Sequence, residues 1–167
     1  MENHRLDLGL VSRLTVESFG EPGERTFRML AEVADGSVSF WLEKQQIVML
    51  GAAMEELLER VGPSRGREPP QTGTTFAGEL EVRAGTLALG YDAAADGFRF
   101  EASDFLTTLP VSTIVWLASR EQIESSVAQI EVIAAASRPR CVLCGTPLSG
   151  EPHFCPESNG HAHHDSE

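Results

Sequence analysis

Residues 13–33 decide the fold and read Arg-Leu-Thr-Val-Glu-Ser-Phe, then Gly-Glu-Pro-Gly-Glu, then Arg-Thr-Phe-Arg-Met-Leu-Ala-Glu-Val. Apolar and polar side chains alternate in the first and last parts, which is the pattern of half-buried β-strands. Between them, Pro22 presets φ at one corner of a tight turn, and Gly23 tolerates the positive φ of the next corner. The stretch therefore predicts a β-hairpin with strands over 13–19 and 25–33.

A third strand and a helix follow this hairpin. Asp35-Gly36 predicts a second tight turn, and residues 37–42 predict the strand that leaves it. From about Glu43 the apolar residues recur at helical spacing, and they are Ile47, Leu50, Met54, Leu57, Leu58 and Val61. This periodicity predicts an amphipathic helix that ends at Gly62-Pro63.

A second set of elements begins after residues 62–78, which are rich in proline and glycine and predict a loop. Alternation of apolar and polar residues then predicts three strands, over 79–91, 97–102 and 113–117. A helix is predicted over about 120–137 from one apolar face, which comprises Ile123, Val127, Ile130, Ile133 and Ala134. Ser119 is its expected N-cap, and Pro139 is expected to close it.

The order strand, strand, strand, helix therefore occurs twice, and short stretches of the two halves match in letters. Residues 40–47 (Phe-Trp-Leu-Glu-Lys-Gln-Gln-Ile) resemble residues 115–123 (Val-Trp-Leu-Ala-Ser-Arg-Glu-Gln-Ile), and residues 26–29 resemble residues 97–100. We interpret the match as an internal duplication at a spacing of about 70 to 76 residues. Trp41 and Trp116 are then expected to be equivalent core positions. The alternative is that the two side chains line a ligand cleft.

The predicted fold class is α+β: two βββα-like repeats, each an antiparallel sheet with one helix, followed by a small C-terminal zinc knuckle. The duplicated body comprises residues 1–138, with repeat one over about 9–62, a loop over 63–78 and repeat two over about 79–138. The knuckle and tail comprise residues 139–167. Because one helix on three strands encloses little core, the repeats are expected to share a core or to pack face to face.

Metal-ligating residue types are concentrated near the C-terminus. The three cysteines of the chain all lie there, namely Cys141, Cys144 and Cys155. Gly145 follows the Cys-x-x-Cys pair as in zinc knuckles, where it permits a tight backbone turn. His153 completes a set of four ligands, and His161 is the alternative fourth ligand.

Three thiolates and one imidazole favour zinc over calcium or magnesium, which prefer oxygen ligands. Four protein ligands leave zinc no open position, so the sequence predicts a structural ion rather than a catalytic one. The alternatives are three reduced cysteines in an unmetallated tail, and a redox dithiol, although a redox dithiol usually has a βαβ context that this sequence lacks. Residues 163–167 are expected to form a solvated tail.

The predicted body lacks the side chains that most often carry catalysis. Between Asp7 and Arg140 the sequence contains no histidine and no cysteine, and it has no P-loop, dinucleotide-binding or nucleophile-elbow motif. Carboxylates, serines, Tyr91 and Lys44 remain as candidate groups. The sequence therefore leaves an enzymatic role open and favours a protein without one.

Composition narrows the choice of partners. The chain has 13 basic and 25 acidic residues, for a net charge of −12, which repels nucleic-acid phosphates and anionic membranes. The N-terminal residues are charged and contain no apolar run of the length that a signal peptide or an anchor requires. We therefore expect a cytoplasmic protein that binds neither nucleic acid nor membrane.

Four motifs together resemble the DUF3090 family, a group of actinobacterial proteins of unknown function. They are Gly20-Glu-Pro-Gly-Glu-Arg-Thr-Phe27, Leu42-Glu-Lys-Gln45, Gly85-Thr-Leu-Ala-Leu-Gly-Tyr-Asp92, and Arg138-Pro-Arg-Cys-Val-Leu-Cys-Gly145 with His153-Phe-Cys-Pro156. The family is typically encoded beside a histidine-phosphatase-like protein and a lipid-kinase-like protein, so the resemblance implies a shared pathway. It implies no catalytic residues. Val142 departs from the proline that usually follows the first cysteine.

Two hypotheses for the function follow from these observations. The leading one is a non-catalytic binding or adaptor module with protein partners, in which the zinc knuckle serves as a second contact or a clamp. The alternative is an enzyme, or an enzyme subunit, that acts on a small phosphorylated or nucleotide-like ligand. In that case Arg25, Arg28 and Arg99 are the candidate anion-binding residues.

Overall fold

The computed structural model describes residues 4–67, 73, 75–106, 108–136, 140–146, 148 and 153–157. Within these residues, the strands are β1 (Arg5–Leu10), β2 (Arg13–Phe19), β3 (Thr26–Val33), β4 (Asp35–Leu42), β5 (Ala77–Asp92), β6 (Gly97–Phe105) and β7 (Thr113–Ala118). Helix α1 (Lys44–Val61) follows β4, and helix α2 (Arg120–Ala136) follows β7. The predicted α+β class is confirmed.

The strands form one seven-stranded sheet in the order β1-β7-β6-β5-β4-β3-β2. β1 pairs with β7 and β4 with β5 in parallel, whereas the other neighbouring pairs are antiparallel. The expectation of two antiparallel sheets was therefore wrong. Between β4 and β5 the chain passes through α1, and such a crossover brings the next strand back in the parallel direction.

The two ends of this strand order meet at the junction between β1 and β2. The Val11 N–H donates to the Leu117 carbonyl of β7 at 2.9 Å, and the adjacent Ser12 N–H donates to the Glu32 carbonyl of β3 at 2.8 Å. β5 makes a similar passage, because it pairs first with β4 and then, from Ala84 onward, with β6. The continuous chain of β1 and β2 thus closes the sheet.

Alternate residues of the strands build the core with both helices. In β3 and β6 the buried positions correspond, and they are Phe27, Met29 and Ala31 in one strand and Phe98, Phe100 and Ala102 in the other. Trp116 is fully buried and stacks between Phe40, at 4.4 Å between ring centroids, and Phe100, at 4.9 Å. The core position expected for Trp116 is confirmed.

Trp41 is not the core counterpart of Trp116, so that part of the expectation was wrong. Its side chain is only half-buried, next to the buried Phe40, and its ring centroid lies 5.7 Å from that of Phe19. Phe40 holds the corresponding core position, since it stacks directly on Trp116. The alignment of Trp41-Leu42 with Trp116-Leu117 is therefore wrong by one residue. A shift of one residue along a strand moves each side chain to the other face of the sheet.

Helices α1 and α2 approach each other closely at Gly51. A Cβ atom on Gly51 would lie 2.8 Å from Cγ2 of Ile130, so only glycine fits there without displacing Ile130. The end of α1 lies at the start of α2, where the Arg120 guanidinium donates to the Gly62 carbonyl. Ser119 Oγ accepts the N–H of Gln122 at 3.2 Å, which confirms the predicted N-cap. The expected closure by Pro139 lies outside the described residues.

Several predicted bounds differ from the structure. β1 was missed, and it precedes the predicted start of repeat one near residue 9. β5 begins at Ala77, inside the predicted loop 63–78, and β6 extends three residues beyond its predicted end. The second tight turn comprises Ala34 and Asp35 rather than Asp35 and Gly36, because Gly36 already pairs with Val33 across the hairpin. Element ends depend on such local pairing, which periodicity alone does not specify.

Candidate metal centre

The C-terminal segment begins with a tight turn that carries the first two cysteines. The Cys141 N–H donates to the Thr146 carbonyl, and the Gly145 N–H donates to the Cys141 carbonyl, both at 2.9 Å. Gly145 has a φ of 70°, in the left-handed region that glycine occupies without strain. This turn explains why a glycine directly after the Cys-x-x-Cys pair favours a knuckle.

The chain then returns to bring His153 and Cys155 beside these cysteines. The sulfur atoms of Cys141 and Cys155 lie 3.8 Å apart, and the sulfur of Cys144 lies 3.5 Å from His153 Nε2. The ligand atoms of all four residues lie within 4.8 Å of one another. We call this group the Cys3His cluster.

Local hydrogen bonds favour the charged form of one sulfur in the cluster. The Thr146 side chain, 3.2 Å from the Cys144 sulfur, is the largest cause that lowers the pKa of the Cys144 thiol from 9.0 to about 6. The Thr146 backbone and His153 lower the pKa further, whereas partial burial opposes them. The thiolate is the form that binds metals, so these hydrogen bonds suit the Cys144 sulfur to metal binding near neutral pH.

The Cys3His cluster is thus arranged to hold a metal ion. Cys155 is buried, whereas the other three ligands are half-buried, so the cluster lies just below the surface of its segment. The structure brings together the four ligands named first from the sequence. The alternative ligand His161 and the tail 163–167 lie outside the described residues, so their predicted roles remain predictions.

The three arginines predicted to bind an anion lie on or beside β3 and β6, and the structure gives them protein neighbours. Arg28 Nε donates to the Glu17 carboxylate at 2.9 Å. A guanidinium nitrogen of Arg99 lies 3.7 Å from the Glu101 carboxylate. The Nε atom of Arg25 is buried without a hydrogen-bond partner among the described residues. Their binding of an anion remains a prediction.

A polar cluster around Asp96 was missed from the sequence. One Asp96 oxygen accepts the Tyr91 hydroxyl, and the other accepts the Ser64 hydroxyl at 3.3 Å and the N–H groups of Arg65 and Arg67 at 3.1 and 3.4 Å. Asp96 is nearly buried and has a φ of 49°. The signal was an aspartate before a glycine at the end of a predicted turn, because aspartate tolerates this backbone conformation better than most residues. The cluster fastens the segment after α1 to the β5–β6 turn.

The hydrogen bonds of this cluster shift two pKa values in opposite directions. The hydrogen bond from Tyr91 is the largest cause that lowers the Asp96 pKa below its ordinary 3.8. Burial opposes this effect, and the backbone N–H groups of Arg67 and Arg65 lower the pKa further. The same bond, together with burial and the nearby negative charge, raises the Tyr91 pKa above 10.0. Asp96 is therefore a charged acceptor and Tyr91 a neutral donor at neutral pH.

Together, the mixed sheet and the cluster define the class of this molecule: an α+β protein with a C-terminal Cys3His group that can hold a metal ion. Among the parts of the chain that the structure describes, no helix is both long and apolar enough to cross a bilayer.

Comparison with known families places the chain more narrowly. The model of the family described as "Protein of unknown function (DUF3090)" matches residues 6–155, which include the body and all four cluster residues. The chain belongs to the DUF3090 family. No curated protein and no solved structure matches it significantly.

Proposed function

We propose that the chain is a cytoplasmic, non-catalytic binding module whose C-terminal segment is folded by one structural zinc ion. The observation that carries the proposal is the Cys3His cluster, in which three sulfur atoms and one imidazole nitrogen converge within 4.8 Å. The separations within the cluster, the ligand types and the chemistry of the body each support one part of the proposal.

Two of the six separations between ligand atoms support a tetrahedral zinc ion, and all six are within 4.8 Å. With zinc–sulfur bonds of about 2.3 Å, two sulfur ligands of a tetrahedron lie about 3.8 Å apart. With a zinc–nitrogen bond of about 2.0 Å, a sulfur and a nitrogen ligand lie about 3.5 Å apart. The sulfurs of Cys141 and Cys155 are 3.8 Å apart, and the Cys144 sulfur is 3.5 Å from His153 Nε2. Both separations equal the expected tetrahedral edges.

The ligand set supports a structural ion. Catalytic zinc sites usually keep one position for water or substrate, whereas structural sites use four protein ligands. Cys141, Cys144, Cys155 and His153 would fill all four positions of a bound ion. Because Cys155 is the only buried residue among the described residues of 140–157, metal binding would supply most of the folding free energy of this segment.

The chemistry of the body supports a non-catalytic role. The most strongly hydrogen-bonded carboxylate described there, Asp96, holds a loop and a turn together and has a lowered pKa, which suits an acceptor and not a general base near pH 7. Histidine and cysteine are absent from the sequence between Asp7 and Arg140. A body of this kind is better suited to presenting a surface than to moving protons.

We also propose that the body arose by duplication, and matching hydrogen bonds at the two helix starts support this. In α1, the Gln46 amide accepts the N–H of the residue three positions earlier at 2.9 Å and donates to the Ala84 carbonyl at 3.4 Å. In α2, the Gln122 amide accepts the N–H three positions earlier at 2.9 Å and donates to the Val11 carbonyl at 2.9 Å. Each glutamine thus links a helix start to a point where the chain changes its pairing partner. This point is Ala84 in β5 for α1 and Val11 at the junction of β1 and β2 for α2.

The strand register supports the same duplication. Met29 pairs with Phe40 in the first half, and Phe100 pairs with Trp116 in the second. In each half the last strand also pairs in parallel with the first part of a long segment, which is β5 in one case and the continuous β1–β2 chain in the other. The repeats would therefore exchange their first strands, which joins them in one sheet.

Partners are part of the proposal as well. A non-catalytic module acts through what it binds, and we propose protein partners in a pathway with the phosphatase-like and kinase-like proteins that the family resemblance implies. The rival role, an enzyme or subunit for a small phosphorylated or nucleotide-like ligand, would need the guanidinium groups of Arg25, Arg28 and Arg99 to face a ligand. Those of Arg28 and Arg99 lie against carboxylates of their own sheet, so we favour the binding module.

Hydrogen exchange with and without a chelator tests the structural zinc. We expect chelation to remove protection from peptides covering residues 140–157, because metal binding folds that segment, and to leave peptides from β3 and β6 protected. Restored protection after addition of zinc, but not of magnesium, completes the expected result. Unchanged exchange in the 140–157 peptides after the metal has been removed would contradict the proposal.

A further inference from the structure

The segment that forms the Cys3His cluster exposes large apolar side chains. Val142 is 97% exposed, Leu143 is 60% exposed and Phe154 is 85% exposed. Single apolar residues scattered over a protein surface are normal, whereas exposed apolar side chains that lie together mark interaction sites. We call Val142, Leu143 and Phe154 the apolar triad.

The ligand spacing explains why these side chains point to solvent. Val142 and Leu143 lie between the two ligands of the Cys-x-x-Cys turn, and Phe154 lies between His153 and Cys155. Each flanking ligand must direct its side chain inward to the shared centre, so the residues between them project outward. A bound ion would therefore hold the triad in place, and partner binding would cost little additional ordering of the backbone.

Exposure alone does not identify the partner that binds the triad, but the charges near the triad indicate the charge of that partner. A zinc ion with three thiolates and a neutral imidazole carries one net negative charge, and the exposed Glu157 follows the cluster. The guanidinium of Arg140 donates to the Gly145 carbonyl at 3.1 Å, so it faces the backbone of its own turn. The whole chain has a net charge of −12. An occupant with a basic surface is therefore complementary in charge.

The same charges disfavour two other occupants. Nucleic acid carries one negative charge per phosphate and would be repelled by this chain. A second copy would bring another net charge of −12 to the contact, and like charges oppose association. A protein with an apolar pocket and a basic rim could bury the apolar triad and would complement the negative charge of this chain.

We propose that the apolar triad is the docking surface of this protein and that its occupant is a protein whose apolar pocket is bordered by lysine or arginine. Phe154 is the anchor, because a large exposed aromatic side chain loses the most water on entering a pocket. The inference rests on the proposed zinc centre, since the ion would hold both parts of the triad.

Site-specific photocrosslinking in cells of the source organism tests the proposal. A benzophenone amino acid replaces Phe154 in the full-length protein, and the matched control carries it at Val132, which is 70% exposed on α2. We expect a crosslink from position 154, and none of the same mass from position 132, to a protein with a basic surface. No crosslink from position 154, or crosslinks only to a second copy or to nucleic acid, would overturn the proposal.

The captured protein is then purified, and its affinity is measured by calorimetry against the zinc-loaded wild type and the variants Phe154→Ser and Leu143→Ser. We expect each substitution to weaken binding at least about tenfold, as for an anchor residue, and added salt to weaken wild-type binding. An unchanged dissociation constant in Phe154→Ser would overturn the proposal.

The zinc content of every preparation distinguishes a failure of the proposed metal centre from a failure of the docking surface. Protein without stoichiometric zinc contradicts the proposed metal centre and the docking surface built on it. Zinc-loaded protein that forms no crosslink contradicts the docking surface alone.

Discussion

The sulfur atoms of Cys141 and Cys155 lie 3.8 Å apart, although 14 positions separate the two residues in the chain. Closing such a segment costs conformational entropy, and among its described residues only Cys155 is buried. A metal ion bound by both thiolates, as proposed above, would compensate for this cost. This relationship links the folding of the segment to metal binding.

His153 is predicted to be the fourth zinc ligand, so His153→Ala should lose zinc far more readily than wild type. We expect its zinc affinity to fall by more than the roughly 10- to 100-fold that follows loss of an outer-shell partner, because a direct ligand is removed. Competition with a zinc-binding dye measures the effect. His161→Ala is the matched control and should retain wild-type affinity. The reverse order would assign the fourth position to His161.

Gly51 is predicted to be required for close packing of the two helices. Alanine favours a helix by about 1 kcal/mol over glycine, but overpacking against Ile130 costs about 1–3 kcal/mol. Gly51→Ala should therefore be neutral or destabilise by up to about 2 kcal/mol in urea unfolding. In the Ile130→Ala background the same change should stabilise the protein by up to about 1 kcal/mol. Equal effects in both backgrounds would show that the two residues do not interact.

The two tryptophans are predicted to differ in environment. The Trp41→Phe variant retains only the buried Trp116, so its fluorescence should be blue-shifted and poorly quenched by acrylamide. Trp116→Phe retains only the half-buried Trp41 and should show the opposite. Trp116→Ala should cost about 3–5 kcal/mol of stability, and Trp41→Ala less. Equal quenching in the two single-tryptophan variants would contradict these positions.

The bond between Tyr91 and Asp96 predicts a defined pH dependence of stability. The Asp96 pKa is lowered in the fold, so its contribution is present above pH 3.8 and is lost as the pH falls through the lowered value. The Tyr91 pKa is raised, so its contribution is present below pH 10.0 and is lost as the pH rises through the raised value. The stability difference between wild type and Tyr91→Phe should be constant between these limits and shrink beyond both. Chemical unfolding at a series of pH values measures it, and a difference that does not vary with pH would contradict the role of this bond.

The local elements could be predicted from the sequence because the chain's own periodicity encodes them. The hairpin strands around Pro22-Gly23 and the helix ending at Gly62 follow from alternation, helical spacing and turn residues. The sheet order could not be predicted in this way, since the parallel pairing of Val38 with Leu80 joins strands through a crossover. β1 was missed although Leu6, Leu8 and Leu10 alternate along it, and its place in the fold depends on pairing with the distant β7.

The Cys3His cluster was predictable because Cys141, Cys144, His153 and Cys155 are sparse residue types at recognisable spacing. The effect of Thr146 was not, because its hydroxyl acts on the Cys144 sulfur only once the turn has formed. The tryptophan equivalence failed for a geometric reason. Sequence letters do not show which face of a strand a residue occupies when an alignment is shifted by one.

Zinc content and X-ray absorption of the untagged protein test the central claim most directly. The account predicts one zinc ion per chain, with three sulfur ligands at about 2.3 Å and one nitrogen ligand at about 2.0 Å. Protein purified in zinc-containing buffer that retains no stoichiometric zinc, or a zinc shell of oxygen and nitrogen without sulfur, would contradict it.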